Sequence, residues 1–132
     1  MRHRKKHLKL KGSISHRKAL LSNLATELFR HKTIKTTYTK AKALSRLAER
    51  LLTEAKKQTL ASHRNIISNL HNKEVAKKIF EEAKELQQEG GYTKVLKLPC
   101  RHGDNSPMAI VTLCEPKQAF PQKEGESKTS SS

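Results

Sequence analysis

Four short groups in this 132-residue chain carry residue types that can do chemistry, and each has a plainer role to set against it. His3 and His7 stand at the i, i+4 spacing of two metal ligands on a helix face, but Arg2, Arg4, Lys5 and Lys6 surround them and would repel a dication. Cys100-Arg101-His102 looks like a fragment of a ligand set, yet the sequence contains no C-x-x-C pair. His102, Asp104 and Ser106 are the residue types of a hydrolase triad. Triad members are normally brought together from separate elements and oriented by a fold, so a tight turn is the simpler account. Gly90-Gly91 could be taken for a phosphate cradle, but it follows a helical pattern, and the C-terminal end of a helix disfavours anions. These readings imply no enzyme, no metal, no cofactor and no small-molecule substrate.

Charge is the chemistry that stands out. Residues 1–46 hold fourteen Lys and Arg against a single acid, Glu27, while the remaining eighty-six residues hold fourteen against eleven. Half of the basic charge is therefore concentrated in a segment with almost no acid, within a chain of net charge +16. Like charges this close repel unless a polyanion lies alongside, and nucleic acid phosphate is that partner. An anionic membrane surface fits poorly, because residues 1–12 offer only Leu8 and Leu10 as bulky aliphatic anchors. With no Trp, two Tyr and three Phe, the chain also lacks a clustered stacking platform for single strands. The expected contacts are then to phosphate and sugar of folded RNA or duplex DNA.

Among the elements that hold these residues, Ser15 is placed to cap a helix whose apolar stripe is Leu20, Leu21, Leu24, Ala25 and Leu28. Residues 31–37 alternate and are rich in β-branched types, which predicts an extended segment or edge strand. Thr39 can cap a second helix with Leu44, Leu47, Ala48, Leu51, Leu52 and Ala55 on one face and Lys42, Arg46 and Arg50 on nearly the opposite one. A third helix is expected over 60–70, and a fourth opening at Asn72 with Val75, Ala76, Ile79, Phe80, Ala83 and Leu86 inward and Gly90-Gly91 as its terminus. Residues 92–98 and 108–114 read as an antiparallel hairpin. Its geometry would put Cys100 and Cys114 about 20 Å apart at ~3.3 Å per residue, as free thiols. The expected organisation is a basic RNA-binding arm over 1–14, a compact α+β domain over 15–114 and a disordered tail over 115–132. About four helices would pack on a small, mostly antiparallel sheet, with the arm as an N-terminal extension.

The candidate RNA contacts are Arg2, His3, Arg4, Lys5, Lys6, Lys9 and Lys11 in the arm, then Ser15, His16, Arg17 and Lys18. To these are added Lys35, Lys40, Lys42 and Arg46, with Lys94, Lys97, Arg101 and His102 around the hairpin. A hydrophobic share of 34% suffices for one small core. No long apolar run or secretory h-region is present, so no membrane partner is expected.

Longer motifs carry a resemblance. The opening MRHRKK, the run SHRKALLSNLATELFRHKTIKTTYTKAKAL, the segment NKEVAKKIF, and GGYTKVLKL followed by GDNSPMAIV resemble, in order and spacing over residues 1–114, the bacterial type of large-subunit ribosomal protein seventeen. Because the motifs begin at Met1, the arm is expected to belong to the mature protein rather than to a removed transit peptide. The resemblance implies a non-catalytic constituent of the large ribosomal subunit that binds and stabilises large-subunit rRNA near the polypeptide exit tunnel. It further implies neighbouring ribosomal proteins as partners, an α+β fold, and a cytoplasmic location with an organelle left open. Two other classes are set against it. A nucleoid-type DNA-binding protein would be as small and basic, but a helix-turn-helix reader needs its second helix close behind the first, and here an extended segment intervenes. An RNA-processing enzyme would need a catalytic set that the residues do not supply.

Overall fold

The computed structural model describes residues 8, 10–87 and 89–114. The candidates Arg2, His3, Arg4, Lys5, Lys6 and Lys9, and the expected tail from 115, lie outside the described residues. In chain order the elements are α1 (Ile14–His31), β1 (Thr33–Thr37), α2 (Tyr38–Lys56), α3 (Leu60–Leu70), α4 (Lys73–Glu85), β2 (Thr93–Leu98) and β3 (Met108–Leu113). This is the expected α+β class, with four helices and three strands among the described residues.

Local signals explain most of the boundaries, and three differ from expectation. Helix α1 is capped by Ser13, whose Oγ accepts the His16 N–H at 3.3 Å, and not by Ser15, which lies in the first turn. Gly12, at φ +103°, turns the chain so that Ser13 takes the extended cap conformation. The apolar stripe gave no warning of the earlier start, because Ile14 is 65% exposed. Helix α2 starts at Tyr38, after Thr37 and not after Thr39, and Thr37 makes no side-chain cap hydrogen bond. The Tyr38 N–H donates instead to the Pro107 carbonyl at 2.9 Å, a partner nearly seventy residues away. Asn72 does cap α4 as expected, its Oδ1 accepting from Glu74 and Val75 N–H at 3.0 and 3.2 Å. That helix ends at Glu85, before Gly90-Gly91, because Leu86 leaves it in an extended conformation while still packing on the core. Gly91, at φ +71°, belongs to the turn into β2.

The sheet has strand order β1-β3-β2, with both pairs antiparallel. Ile34, Val111 and Val95 lie opposite one another in register and face the helices; one residue on, Lys35, Ile110 and Leu96 form a row on the other face. The core lies between the helices and the first of these faces, around the fully buried Leu28, Phe29, Leu44, Ile66, Ile79 and Tyr92. Phe29→Ala is expected to cost about 3–5 kcal/mol, since the surrounding helices cannot close over the space that the ring leaves. Urea unfolding of the variant against the parent chain measures it, and a loss below about 1 kcal/mol would show that Phe29 is not a core anchor.

Candidate nucleic-acid interface

Helix α2 places Lys42, Arg46 and Arg50 at i, i+4 spacing, so all three emerge on one side while Leu44, Ala48, Leu51 and Leu52 are buried on the other. Packing then adds charge to both flanks of this row. On one flank, β2 brings Lys97 beside Tyr38: the Lys97 and Lys42 ammonium groups lie 5.1 and 5.0 Å from the Tyr38 ring centroid. Both cations thus lie within the range at which an aromatic ring attracts a positive charge. The hydrogen bond to Lys42, with the charges of Lys42 and Lys97, draws the Tyr38 phenol below its ordinary pKa, against the opposing effect of desolvation. The α2–β2 approach is locked by Glu49, whose Oε1 accepts from the Thr93 N–H at 2.7 Å and the Thr93 hydroxyl at 2.9 Å, and by Ser45 and Thr93 hydroxyls 2.7 Å apart.

On the other flank, α1 and α2 border a groove of about 660 Å³. Its floor is aliphatic, built from Leu8, Leu10, Ile14, Leu21 and Leu47. Arg17 and Lys18 of α1 and Arg46 and Arg50 of α2 supply its charge, and no acidic residue lines it. Arg46 also borders the hollow that holds Tyr38, Lys42 and Lys97, so the two sites share a wall. The result is one cationic band running from α1 across α2 to β2.

The structure therefore brings together Arg17, Lys18, Lys42, Arg46 and Lys97 from the expected set. Tyr38 and Arg50 join them, although neither was among the candidate contacts. Arg50 could have been added as the next i+4 member of the row; Tyr38 could not, because its neighbours come from packing. Ser15, His16 and Lys11 are exposed at the start of α1, next to this band in sequence. Lys40 is half-buried and, at about 100° per residue, falls on the apolar side of α2. Lys94 and Lys97, three residues apart on one strand, point to opposite faces, so Lys94 lies away from the band.

Lys35, Arg101 and His102 form a separate group around a hollow of about 450 Å³ at the end of the sheet. Arg101 is tied within its own loop, Nε and Nη2 donating to Asp104 at 3.1 and 2.5 Å, while the Ser106 N–H donates to the same carboxylate at 3.2 Å. The triad-like His102, Asp104 and Ser106 are thus explained by a turn. The hydrogen bond from Arg101, then that from Ser106, hold the Asp104 carboxyl down at about 2. Since the folded value lies below the ordinary carboxylate value of about 3.9, the tie is fully formed above that pH and is lost as pH falls through about 2. A carbon-13 titration of the Asp104 carboxyl is expected to show this midpoint, and to move toward the ordinary value in Arg101→Met. An unmoved midpoint would remove Arg101 as the cause.

One acid lies within the band, Glu49 of α2, and its carboxylate is taken up by the Thr93 N–H and hydroxyl; other nearby acids are engaged away from it. Glu27 pairs with Arg30 and His31, each at 3.1 Å, at the far end of α1. Glu54 accepts from Lys57 at 3.2 Å, and Glu82 pairs with Lys32. Cys100 and Cys114 are free thiols. No helix among the described residues is long and apolar enough to cross a membrane. A family model described as ribosomal protein L17 matches residues 20–114, which include α2, the whole sheet and most of α1.

Proposed function

The chain belongs to the ribosomal protein L17 family, whose members are structural proteins of the large ribosomal subunit, and from that premise we propose that it binds and stabilises folded large-subunit rRNA through the α1–α2–β2 cationic band. The observation that carries this reading is the convergence of Arg17, Lys18, Lys42, Arg46, Arg50 and Lys97, from three elements, around surfaces with no acidic lining residue. Such a band displaces counterions from phosphate, and its arginines can grip phosphate oxygens in bidentate fashion. The elements under it are braced by a common core, so the charges keep fixed spacings while the RNA docks. The basic arm, including Arg2, His3, Arg4, Lys5, Lys6, Lys9 and Lys11, extends the same contact, with Ser15 and His16 at its junction with α1. Lys35, Arg101 and His102 supply a second, smaller contact at the sheet end. A position near the polypeptide exit tunnel, a cytoplasmic location and neighbouring ribosomal proteins as partners complete the proposal, on the strength of the family. Strand β1 separates α1 from α2, which argues against a helix-turn-helix DNA reader.

Sedimentation of a lysate containing the tagged full chain tests this directly. The chain is expected in the large-subunit peak, and to leave it when the RNA is digested with ribonuclease. Recovery with the DNA-containing nucleoid fraction, or at the top of the gradient with undigested ribosomes, would overturn the proposal.

A further inference from the structure

We infer that the groove between α1 and α2 is a pocket for one unstacked nucleotide of the bound RNA, an inference that rests on the rRNA-binding reading above. A regular RNA helix presents its phosphates on the outside, and a flat band of cations is enough to meet them. A recess with an aliphatic floor has no use for a phosphate and no access to a stacked base. What fits is a group that is flat and weakly polar at its centre and anionic at its two ends, which describes an extruded nucleotide with its flanking phosphates. The groove's volume of about 660 Å³ lies within the range of roughly 300–1,000 Å³ typical of small-ligand sites.

The kind of cation points the same way. Six arginines occur among the described residues, and three of them, Arg17, Arg46 and Arg50, line this groove. An ammonium group binds phosphate as a point charge, but only the planar guanidinium can also stack on an unpaired base. Ile14 supplies the second observation. It is one of three large hydrophobic residues exposed among those described, and it stands 65% exposed at the groove in the most basic part of the molecule. An acidic amphipathic protein segment would match the charge, but it would not account for the choice of arginine.

The test uses the full chain and two RNA probes: a duplex of about twenty base pairs, and the same duplex with one unpaired 2-aminopurine nucleotide. Base stacking on a protein is worth about 1–3 kcal/mol, so the bulged probe should bind about 5- to 150-fold more tightly, with a rise in aminopurine fluorescence as the base leaves its neighbours. Ala43→Phe, which fills the groove from α2, and Ile14→Ser, which trims its exposed floor, should each abolish that preference while leaving duplex affinity within about twofold. Melting curves of both variants establish that they are folded. Equal wild-type affinity for the two probes overturns the pocket and leaves the RNA interface standing; no binding of either probe overturns both. A preference that survives in both variants also overturns the pocket. So does an acidic amphipathic peptide that binds wild type but not Ala43→Phe while the two RNAs bind equally.

Discussion

Replacing Lys42 and Arg46 together by glutamate will lower the affinity of the full chain for large-subunit rRNA by a factor on the order of 10² to 10⁴. Hydrogen bonds to charged groups contribute about 1.5–3 kcal/mol each, and both positions would pass from attraction to repulsion beside a phosphate. The comparison is Lys77→Glu with Lys84→Glu on α4. There, Glu74, Glu81, Glu82 and Glu85 already alternate with the lysines, so the face carries no cationic field to lose. That pair should change affinity by less than about threefold. Filter binding at fixed salt and magnesium measures both variants. Thermal melting checks that loss of the Lys42 contact with Tyr38 has not unfolded the domain. Equal losses from the two double variants would mean that the band is not the RNA-binding surface.

Salt should weaken the complex just as steeply. If six to ten phosphates are neutralised, affinity falls by roughly 10³ to 10⁵ between about 50 and 200 mM salt on the duplex-DNA scale. Replacing Arg2, Arg4, Lys5, Lys6, Lys9 and Lys11 by glutamine removes six charges and keeps Leu8 and Leu10, which line the groove. If all six touch phosphate, the slope of log affinity against log salt should become shallower by about 4 to 5. Magnesium is held constant so that folding of the RNA does not contribute. An unchanged slope would assign the binding to the body of the protein and leave the arm without a role in it.

Much of this architecture is legible from local patterns, because the forces that set it are local. The apolar stripes of α2, α3 and α4 follow the helical period, Asn72 caps by reaching its own next residues, and the alternation in β2 and β3 is intrinsic to a half-buried strand. The row of Lys42, Arg46 and Arg50 follows from the same arithmetic. Where local patterns mislead, two local solutions are equally good or the deciding partner is remote. Ser13 and Ser15 satisfy the same capping rule, and only the turn at Gly12 chooses between them. Thr39 is a sound cap by type, but α2 begins earlier because the Pro107 carbonyl takes the Tyr38 N–H. Gly90-Gly91 marks a turn, and docking of Leu86 on the core had already drawn the chain out of the helix.

By itself, then, the sequence determined that the chain is strongly cationic toward its N-terminus, which residues form the inner faces of α2 and α4, and which family's motifs it carries. These depend on composition, spacing and order along the chain. In α1 the expected stripe missed the buried Ser22 and Phe29 and counted Leu20 and Leu21, which stay outside the core. Only the tertiary structure decided which cations act together. Arg17 and Lys18 reach Arg46 and Arg50 because α1 packs against α2, and Lys97 reaches Lys42 because Glu49 binds Thr93 and fixes β2 beside that helix. It also separated Lys94 from Lys97, since the helices cover only one face of the sheet. Charge is a property of residues, but the field that a polyanion meets depends on distances between elements, and those are set by how buried side chains pack.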